Sequence, residues 1–129
     1  MEIGKQATKE TMVDETNVAR NLASGDVDVF ATPSMIALME YTAAQCLAQF
    51  LEPEQTSVGT VVNVAHTAAT PIGMQVRAHA EITGFEGKIV QFKVWAEDEC
   101  GPIGEGVHTR AIVNREKFIQ RANAKRANG

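Results

Sequence analysis

Alternation of hydrophobic and polar positions dominates the second half of the chain. Between Met74 and Thr83 the apolar side chains occupy every second position, and polar side chains such as Arg77 and His79 lie between them. This period of two is typical of a strand that buries one face. The segments on either side alternate in the same way or are rich in valine and threonine. We predict four antiparallel strands at Thr56–Thr70, Met74–Thr83, Lys88–Asp98 and Ile103–Asn114, with turns at Pro71–Gly73, Gly84–Gly87 and Glu99–Pro102.

The clearest helix precedes these strands. Thr32 is a good N-cap and Pro33 suits the first helical position, and no further glycine or proline interrupts the chain before Pro53. We therefore predict a helix from Thr32 to about Phe50. Three weaker elements complete the prediction: a polar strand near residues 5–13, a short helix near Asn17–Leu22, and a helix at the C-terminus.

The predicted helix is apolar around most of its circumference. At about 100° per residue, Gln45 and Gln49 define a narrow polar side, and apolar residues fill most of the remainder: Met35, Ile36, Met39, Ala43, Cys46, Leu47 and Phe50. A helix that is hydrophobic on so many sides must be enclosed. We predict an α+β hot-dog fold, in which a curved antiparallel sheet wraps one long central helix. A length of 129 residues fits one such domain, residues 1–129.

The composition excludes several classes of function. A formal net charge of −4 argues against nucleic-acid binding, which needs clustered lysine and arginine. No stretch approaches the roughly 20 apolar residues that span a bilayer, and the N-terminus lacks the apolar core of a signal peptide. Cys46 and Cys100 do not have a metal-binding spacing. We expect a cytoplasmic protein with no metal, no cofactor and no membrane partner.

Two ionisable residues fall on apolar faces. Glu40 shares a helical face with Ile36 and Leu47, where a carboxylate is costly unless it is paired or hydrogen-bonded. His66 ends a row of valines on one strand face, following Val62 and Val64. Each residue also has a structural interpretation: Glu40 could reach solvent or form an ion pair, and His66 could be a core histidine. The pattern alone leaves these alternatives open.

Three further residues carry weaker signals. Thr32 is either a simple helix cap or a hydroxyl at a helix N-terminus, where negative charge is favoured. His79 lies on the polar face of its strand and reads as an ordinary exposed histidine. His108 is ambiguous, because its strand alternates poorly through Gly104 and Gly106.

Short motifs along the chain occur in a characteristic order and spacing. They are Val29–Thr32, Leu38–Glu40, Leu51–Pro53, Gly59–Thr60, His66–Pro71, His108–Arg110 and Glu116–Phe118. Together they resemble the fluoroacetyl-CoA thioesterase family of hot-dog acyl-CoA thioesterases over most of the chain after residue 28. The run His66–Pro71, combined with the upstream Thr32 and Glu40, is the most specific part of the resemblance.

The resemblance implies a thioesterase that hydrolyses a small acyl-CoA to the free acid and CoA. It further implies a homodimer, or a higher homo-oligomer, with active sites at the subunit interface. The family's catalytic residues correspond to Thr32, Glu40 and His66, and its substrate-binding residues correspond to Gly59 and Arg110. Gly59 could instead mark a strand bulge, and Arg110 could form an ordinary ion pair.

Two departures from the family pattern favour a broader substrate than fluoroacetyl-CoA. Pro33 and Ser34 follow Thr32, where the fluoroacetyl enzyme has glycine and an aromatic residue. The segment before residue 29 is also shorter and lacks an aromatic lid. Two rival functions remain: a hot-dog enoyl-CoA hydratase or dehydratase, and a module that binds acyl-CoA or an acyl carrier protein without turnover.

Overall fold

One antiparallel sheet forms the body of the protein in the computed structural model, which describes residues 1–128. Its strands lie in the order β1-β3-β4-β5-β2, so that β1 and β2 are the two edges. The predicted antiparallel strands are therefore confirmed, with changes at their ends. The strands are β1 (Gln6–Met12), β2 (Gln55–His66), β3 (Gln75–Glu86), β4 (Ile89–Asp98) and β5 (Gly101–Asn114).

A single long helix, α1 (Thr32–Ala48), packs against β1, β2, β3 and β4. It buries most of its apolar surface, as the helical wheel predicts, and the alternating residues of β3 and β4 meet it. The central core comprises Met35, Met39, Ala43, Cys46 and Leu47 from α1, with Val76, Ala78, Ala80, Ile82, Val90, Phe92, Val94 and Ala96 from the sheet. The α+β hot-dog prediction is confirmed by this helix-on-sheet arrangement.

The start of α1 differs from the sequence prediction. Ala31, in extended backbone with φ −74° and ψ 142°, is the N-cap, and its carbonyl accepts the first helical hydrogen bond from Met35 N–H at 3.0 Å. Thr32 is the first helical residue, and its hydroxyl bonds to His66. The predicted capping role of Thr32 is therefore wrong, and its side chain is available for another purpose.

Two strand ends also differ from the prediction. β2 ends at His66 and not at Thr70. Thr67 N–H still donates to Ile103 O of β5 at 2.7 Å, but Ala68 N–H approaches the same carbonyl at 3.4 Å, so the regular ladder stops there. β3 continues through Gly84, which lies at a register shift, so the hairpin turn contains Gly87 with φ 59°. A tight turn that needs positive φ favours glycine at that position.

The smaller predicted elements are present with shifted bounds. A short 3-10 helix spans Ala19–Leu22, and the C-terminal segment contains α2 (Arg115–Asn123) and α3 (Lys125–Asn128). Gly129, the last residue of the predicted C-terminal helix, lies outside the described residues. Within residues 1–128, every helix is too short or too polar to cross a membrane.

Candidate active site

The first part of the site is a hydrogen-bonded pair of side chains, located where α1 begins and β2 ends. Thr32 is the first residue of α1 and His66 is the last residue of β2. Thr32 Oγ1 lies 2.8 Å from His66 Nδ1. The other ring nitrogen, Nε2, is buried and has no hydrogen-bond partner among residues 1–128. A buried, unbonded ring nitrogen is costly in a purely structural histidine, which favours a chemical role for His66.

Burial also determines the charge of His66. Desolvation lowers the pKa of this imidazole below its ordinary value of 6.5, because the charged form loses its hydration. His66 is therefore neutral near pH 7, as a general base must be. If Nδ1–H donates to the Thr32 hydroxyl, the lone pair lies on Nε2 and is free to accept a proton.

A surface cavity of about 330 Å³ lies beside this pair. Its walls are mostly small or apolar residues from two segments, the one before α1 and the one after β2: Ala19, Ser24, Gly25, Val27, Val29, Phe30, Thr67, Ala68 and Ala69. Thr32 and His66 complete the lining. Small pockets with apolar walls and a few polar groups are typical of ligand sites.

The second part of the site surrounds Glu40, in the middle of α1. Its carboxylate lies against Gly59 of β2, and a Cβ atom built on Gly59 would fall well inside 3.0 Å of Glu40 Oε2. Any larger residue at position 59 would therefore occupy the place of the carboxylate. Glu40 is half-buried, with 39% of its side chain exposed. The carboxylate is thus held against the strand yet open to a small molecule.

Arg110 supplies the positive charge next to this carboxylate. Gly59 and Arg110 are direct partners in the β2–β5 register, and Arg110 Nη1 lies 3.8 Å from Glu40 Oε2. Arg110 Nε donates to Ser57 Oγ at 2.9 Å, and Nη2 donates to Ser57 O at 3.0 Å. The guanidinium is therefore fixed by the sheet, with one nitrogen facing Glu40.

His108 completes the second cluster and is 1% exposed. Its Nε2 lies 3.2 Å from Arg110 Nη1, and its Nδ1 lies 2.7 Å from Val61 O. The sequence pattern leaves the role of His108 ambiguous, and no local feature marks Ser57. The available signal is the period of two along β5, which places His108 and Arg110 on one face.

The glycines of β5 obscured that signal. A Cβ on Gly104 would fall within 3.0 Å of Ala65 O and Met35 Sδ, and one on Gly106 would collide with the β2 backbone. These positions belong to the same inward face as His108, and they are glycine because α1 and β2 approach too closely for a side chain.

The chain brings its predicted site residues together as two pairs. Thr32 and Glu40 are eight residues apart on α1, which corresponds to about 12 Å along the axis. Within residues 1–128, no hydrogen bond or ion pair links Glu40 to His66. One copy of the chain therefore presents a Thr32–His66 pair at one end of α1 and a Glu40–Arg110 pair further along it.

Comparison with known proteins identifies the family. The family described as fluoroacetyl-CoA-specific thioesterase matches residues 13–116, which include both clusters. The chain belongs to this family. A curated relative, the fluoroacetyl-CoA thioesterase of Streptantibioticus cattleyicolor, is 36% identical over 131 aligned residues, which cover 97% of this chain and 94% of the relative. The resemblance inferred from the motifs is confirmed.

Solved structures of this family and its superfamily share the fold. The fluoroacetyl-CoA thioesterase structure matches with a TM-score of 0.91 at 36% identity, covering 97% of each chain. A variant of that enzyme in complex with acetyl-CoA matches equally well, with a TM-score of 0.91 at 35% identity over 97% of this chain and 98% of that chain. A Thermus thermophilus thioesterase superfamily member has a TM-score of 0.89 at 29% identity, covering 99% and 97% of the two chains.

Proposed function

We propose that the protein is an acyl-CoA thioesterase that hydrolyses a small acyl-CoA to the free acid and CoA. Thr32, Glu40 and His66 are its catalytic residues, and Gly59 and Arg110 contact the substrate. The observation that carries the proposal is the Glu40 carboxylate, half-exposed beside a position that has no side chain. In a chain of this family, that arrangement lets a thioester carbonyl approach both a carboxylate and a strand backbone.

The chemistry requires a nucleophile, a proton carrier and stabilisation of the charge on the carbonyl oxygen. Glu40 generates the nucleophile, either by attacking the thioester carbon itself or by taking a proton from water. The carbon–sulfur bond then breaks, and the departing CoA thiolate takes up a proton. Where Glu40 itself attacks, water then hydrolyses the acyl–Glu40 anhydride to the free acid and restores the carboxylate. His66 is suited to move this proton because its imidazole, neutral near pH 7, accepts a proton that the attacking water releases and, as the imidazolium, passes it to the thiolate.

A homodimer forms part of the proposal, and β2 supports it. This edge strand pairs with β5 on one side, and no strand of residues 1–128 covers its other side. Residues 59–63 are all exposed, with Val61 at 50% and Val62 at 38%. Adjacent exposed valines point to both faces of a strand, and an uncovered apolar edge invites pairing with another strand. A second copy of the chain is a fitting occupant because twofold pairing is self-complementary.

Twofold pairing through β2 would also bring together the Thr32–His66 pair and the Glu40–Arg110 pair, which lie apart in one copy of the chain. With the axis through Asn63, paired residues of the two strands point to the same face, and the bulge between Gly59 and Val61 sets Gly59 of one copy opposite His66 of the partner subunit. Glu40 lies against Gly59, and Thr32 is bonded to His66. Each active site would therefore combine Glu40 from one copy with Thr32 and His66 from the other.

A cytoplasmic location completes the proposal. Cys46 and Cys100 both carry free thiols in the described chain, and unpaired cysteines are typical of proteins kept in reducing compartments. Localisation of a tagged chain by cell fractionation tests this point.

The test of function is a thiol-release screen with acetyl-, fluoroacetyl-, butyryl- and octanoyl-CoA. We expect release with the short acyl groups, and a loss of about 100-fold or more in Glu40→Gln and in His66→Ala. His79→Gln, on the opposite face of the sheet, is the matched control and should retain full activity. Consumption of the crotonyl-CoA double bond without thiol release would instead indicate a hydratase. Tight binding without any turnover would indicate a binding module.

A further inference from the structure

The chemistry proposed above does not use His108, although His108 is buried beside the Glu40–Arg110 pair. A buried imidazole is stable when both of its nitrogens are hydrogen-bonded. Both are bonded here: Nδ1 to Val61 O at 2.7 Å, and Nε2 to Arg110 Nη1 at 3.2 Å. Both ring nitrogens of His108 therefore have the hydrogen-bond partners that a buried imidazole needs.

The identity of the partners determines the tautomer of His108. A carbonyl oxygen accepts a hydrogen bond and cannot donate one, so Nδ1 carries the hydrogen that Val61 O accepts. A guanidinium donates and cannot accept, so Nε2 carries the lone pair that accepts from Arg110. His108 is therefore neutral. Burial acts in the same direction, because desolvation lowers the pKa of this imidazole below 6.5.

Neutral His108 is one of the groups that fix Arg110. Ser57 binds the guanidinium at Nε and Nη2, and His108 binds it at Nη1. Nη1 is also the nitrogen that lies 3.8 Å from Glu40 Oε2. Ser57 holds only the Nε–Nη2 edge of the planar guanidinium. Without an acceptor at His108, the whole group could tilt about that edge and carry Nη1 away from Glu40.

We propose that His108 is a positioning residue, whose Nε2 lone pair orients Arg110 so that Nη1 holds the Glu40 carboxylate beside Gly59. The inference rests on the proposed function, in which Glu40 is catalytic. The ionisable groups near His108 are Arg110 on β5 and Glu40 on α1. The neighbouring strands present the Phe92 ring from β4, with centroids 6.1 Å apart, and the Val61 carbonyl from β2.

Two substitutions of His108 separate positioning from packing. His108→Leu keeps an apolar group in the core but removes both hydrogen bonds. His108→Gln offers an amide oxygen to Arg110 and an amide N–H to Val61 O. We expect kcat for acetyl-CoA hydrolysis to fall about 10-fold or more in His108→Leu, with a smaller change in KM, and to recover largely in His108→Gln.

A double-variant cycle tests whether His108 acts through Glu40. In the Glu40→Gln background, His108→Leu should cause little further loss of the residual rate, because the carboxylate that it positions is gone. An equal loss in both backgrounds would overturn the inference. So would a kcat within twofold of wild type in His108→Leu, or failure of His108→Gln to recover activity although its melting temperature matches wild type.

A measurement independent of turnover separates this inference from the proposed function. Imidazole ¹⁵N shifts of the unmodified protein should report a neutral His108 with the hydrogen on Nδ1 at pH 7. The alternative tautomer or a charged ring would overturn the inference even if the protein is a thioesterase. If the protein releases no thiol from any acyl-CoA, the proposed function fails. In that case two measurements decide the positioning role without any turnover. One is the imidazole ¹⁵N shifts of His108, and the other is the difference in Arg110 guanidinium shifts between His108→Leu and His108→Gln.

Discussion

The close approach of Gly59 to Glu40 makes a specific prediction for Gly59→Ala. A Cβ at this position would fall well inside 3.0 Å of Glu40 Oε2, 3.1 Å from His108 Cε1 and 3.4 Å from Arg110 Nη1. The buried His108 and Arg110 cannot move easily, so the flexible, half-exposed Glu40 side chain must give way. The carboxylate should shift by roughly 1 Å, a misplacement that costs about 100-fold in a catalytic group.

The same geometry predicts that stability changes little in Gly59→Ala. Glu40 has 39% of its side chain exposed and can turn toward solvent, so we expect a loss of about 1 kcal/mol or less in the free energy of unfolding. The assay is kcat/KM for acetyl-CoA hydrolysis by thiol release, together with urea unfolding. Gly84→Ala is the matched control, because its Cβ would meet only Gln91 Oε1, at an ordinary 3.7 Å. Activity of Gly59→Ala within twofold of Gly84→Ala would refute the reasoning.

Three further predictions follow from the Thr32–His66 pair and from the two histidines whose pKa is lowered by desolvation. Thr32→Val should lower kcat about 10-fold or more, because it removes the hydrogen bond to His66 Nδ1. Thr32→Ser retains that bond, so equal activities of the two variants would contradict a catalytic role for the Thr32 hydroxyl. The free energy of unfolding should be nearly the same in Thr32→Val and Thr32→Ser, since Ala31 is the N-cap. A marked drop in that free energy for Thr32→Val alone, measured by urea unfolding, would restore the capping interpretation. The free energy of unfolding should fall as the pH drops below about 6.5, because burial lowers the pKa of His66 and His108 in the folded state and the unfolded chain binds protons first. Urea unfolding from pH 7.5 to pH 5 checks this slope, which should be shallower in His108→Gln; a stability independent of pH over that range would contradict it.

The fold was largely predictable because its elements have local signals. The period of two in β3 and β4 and the apolar circumference of α1 both follow from residues close together in sequence. The end of β2 was not predictable in this way. The ladder stops where Thr67 N–H and Ala68 N–H both approach the carbonyl of Ile103 on β5, and that partner lies far along the chain.

The candidate site was predictable only in part. Glu40 and His66 stand out because each is an ionisable residue on an apolar face. The local sequence cannot indicate that Glu40 faces Arg110, since this depends on the register that pairs Gly59 with Arg110 across β2 and β5. The role of His108 depends on the same register, and the glycines beside it hide the inward face of β5.

The central claim is that each active site joins Glu40 of one subunit to His66 of the other, and subunit complementation tests it most directly. Glu40→Gln and His66→Ala chains with different tags are coexpressed, and the mixed dimer is purified through both tags. In a twofold dimer, one site of the mixed species carries both substitutions and the other carries neither. We predict about half of the wild-type thiol-release rate per dimer, although each parent variant is nearly inactive. A mixed dimer as inactive as its parents would contradict the account.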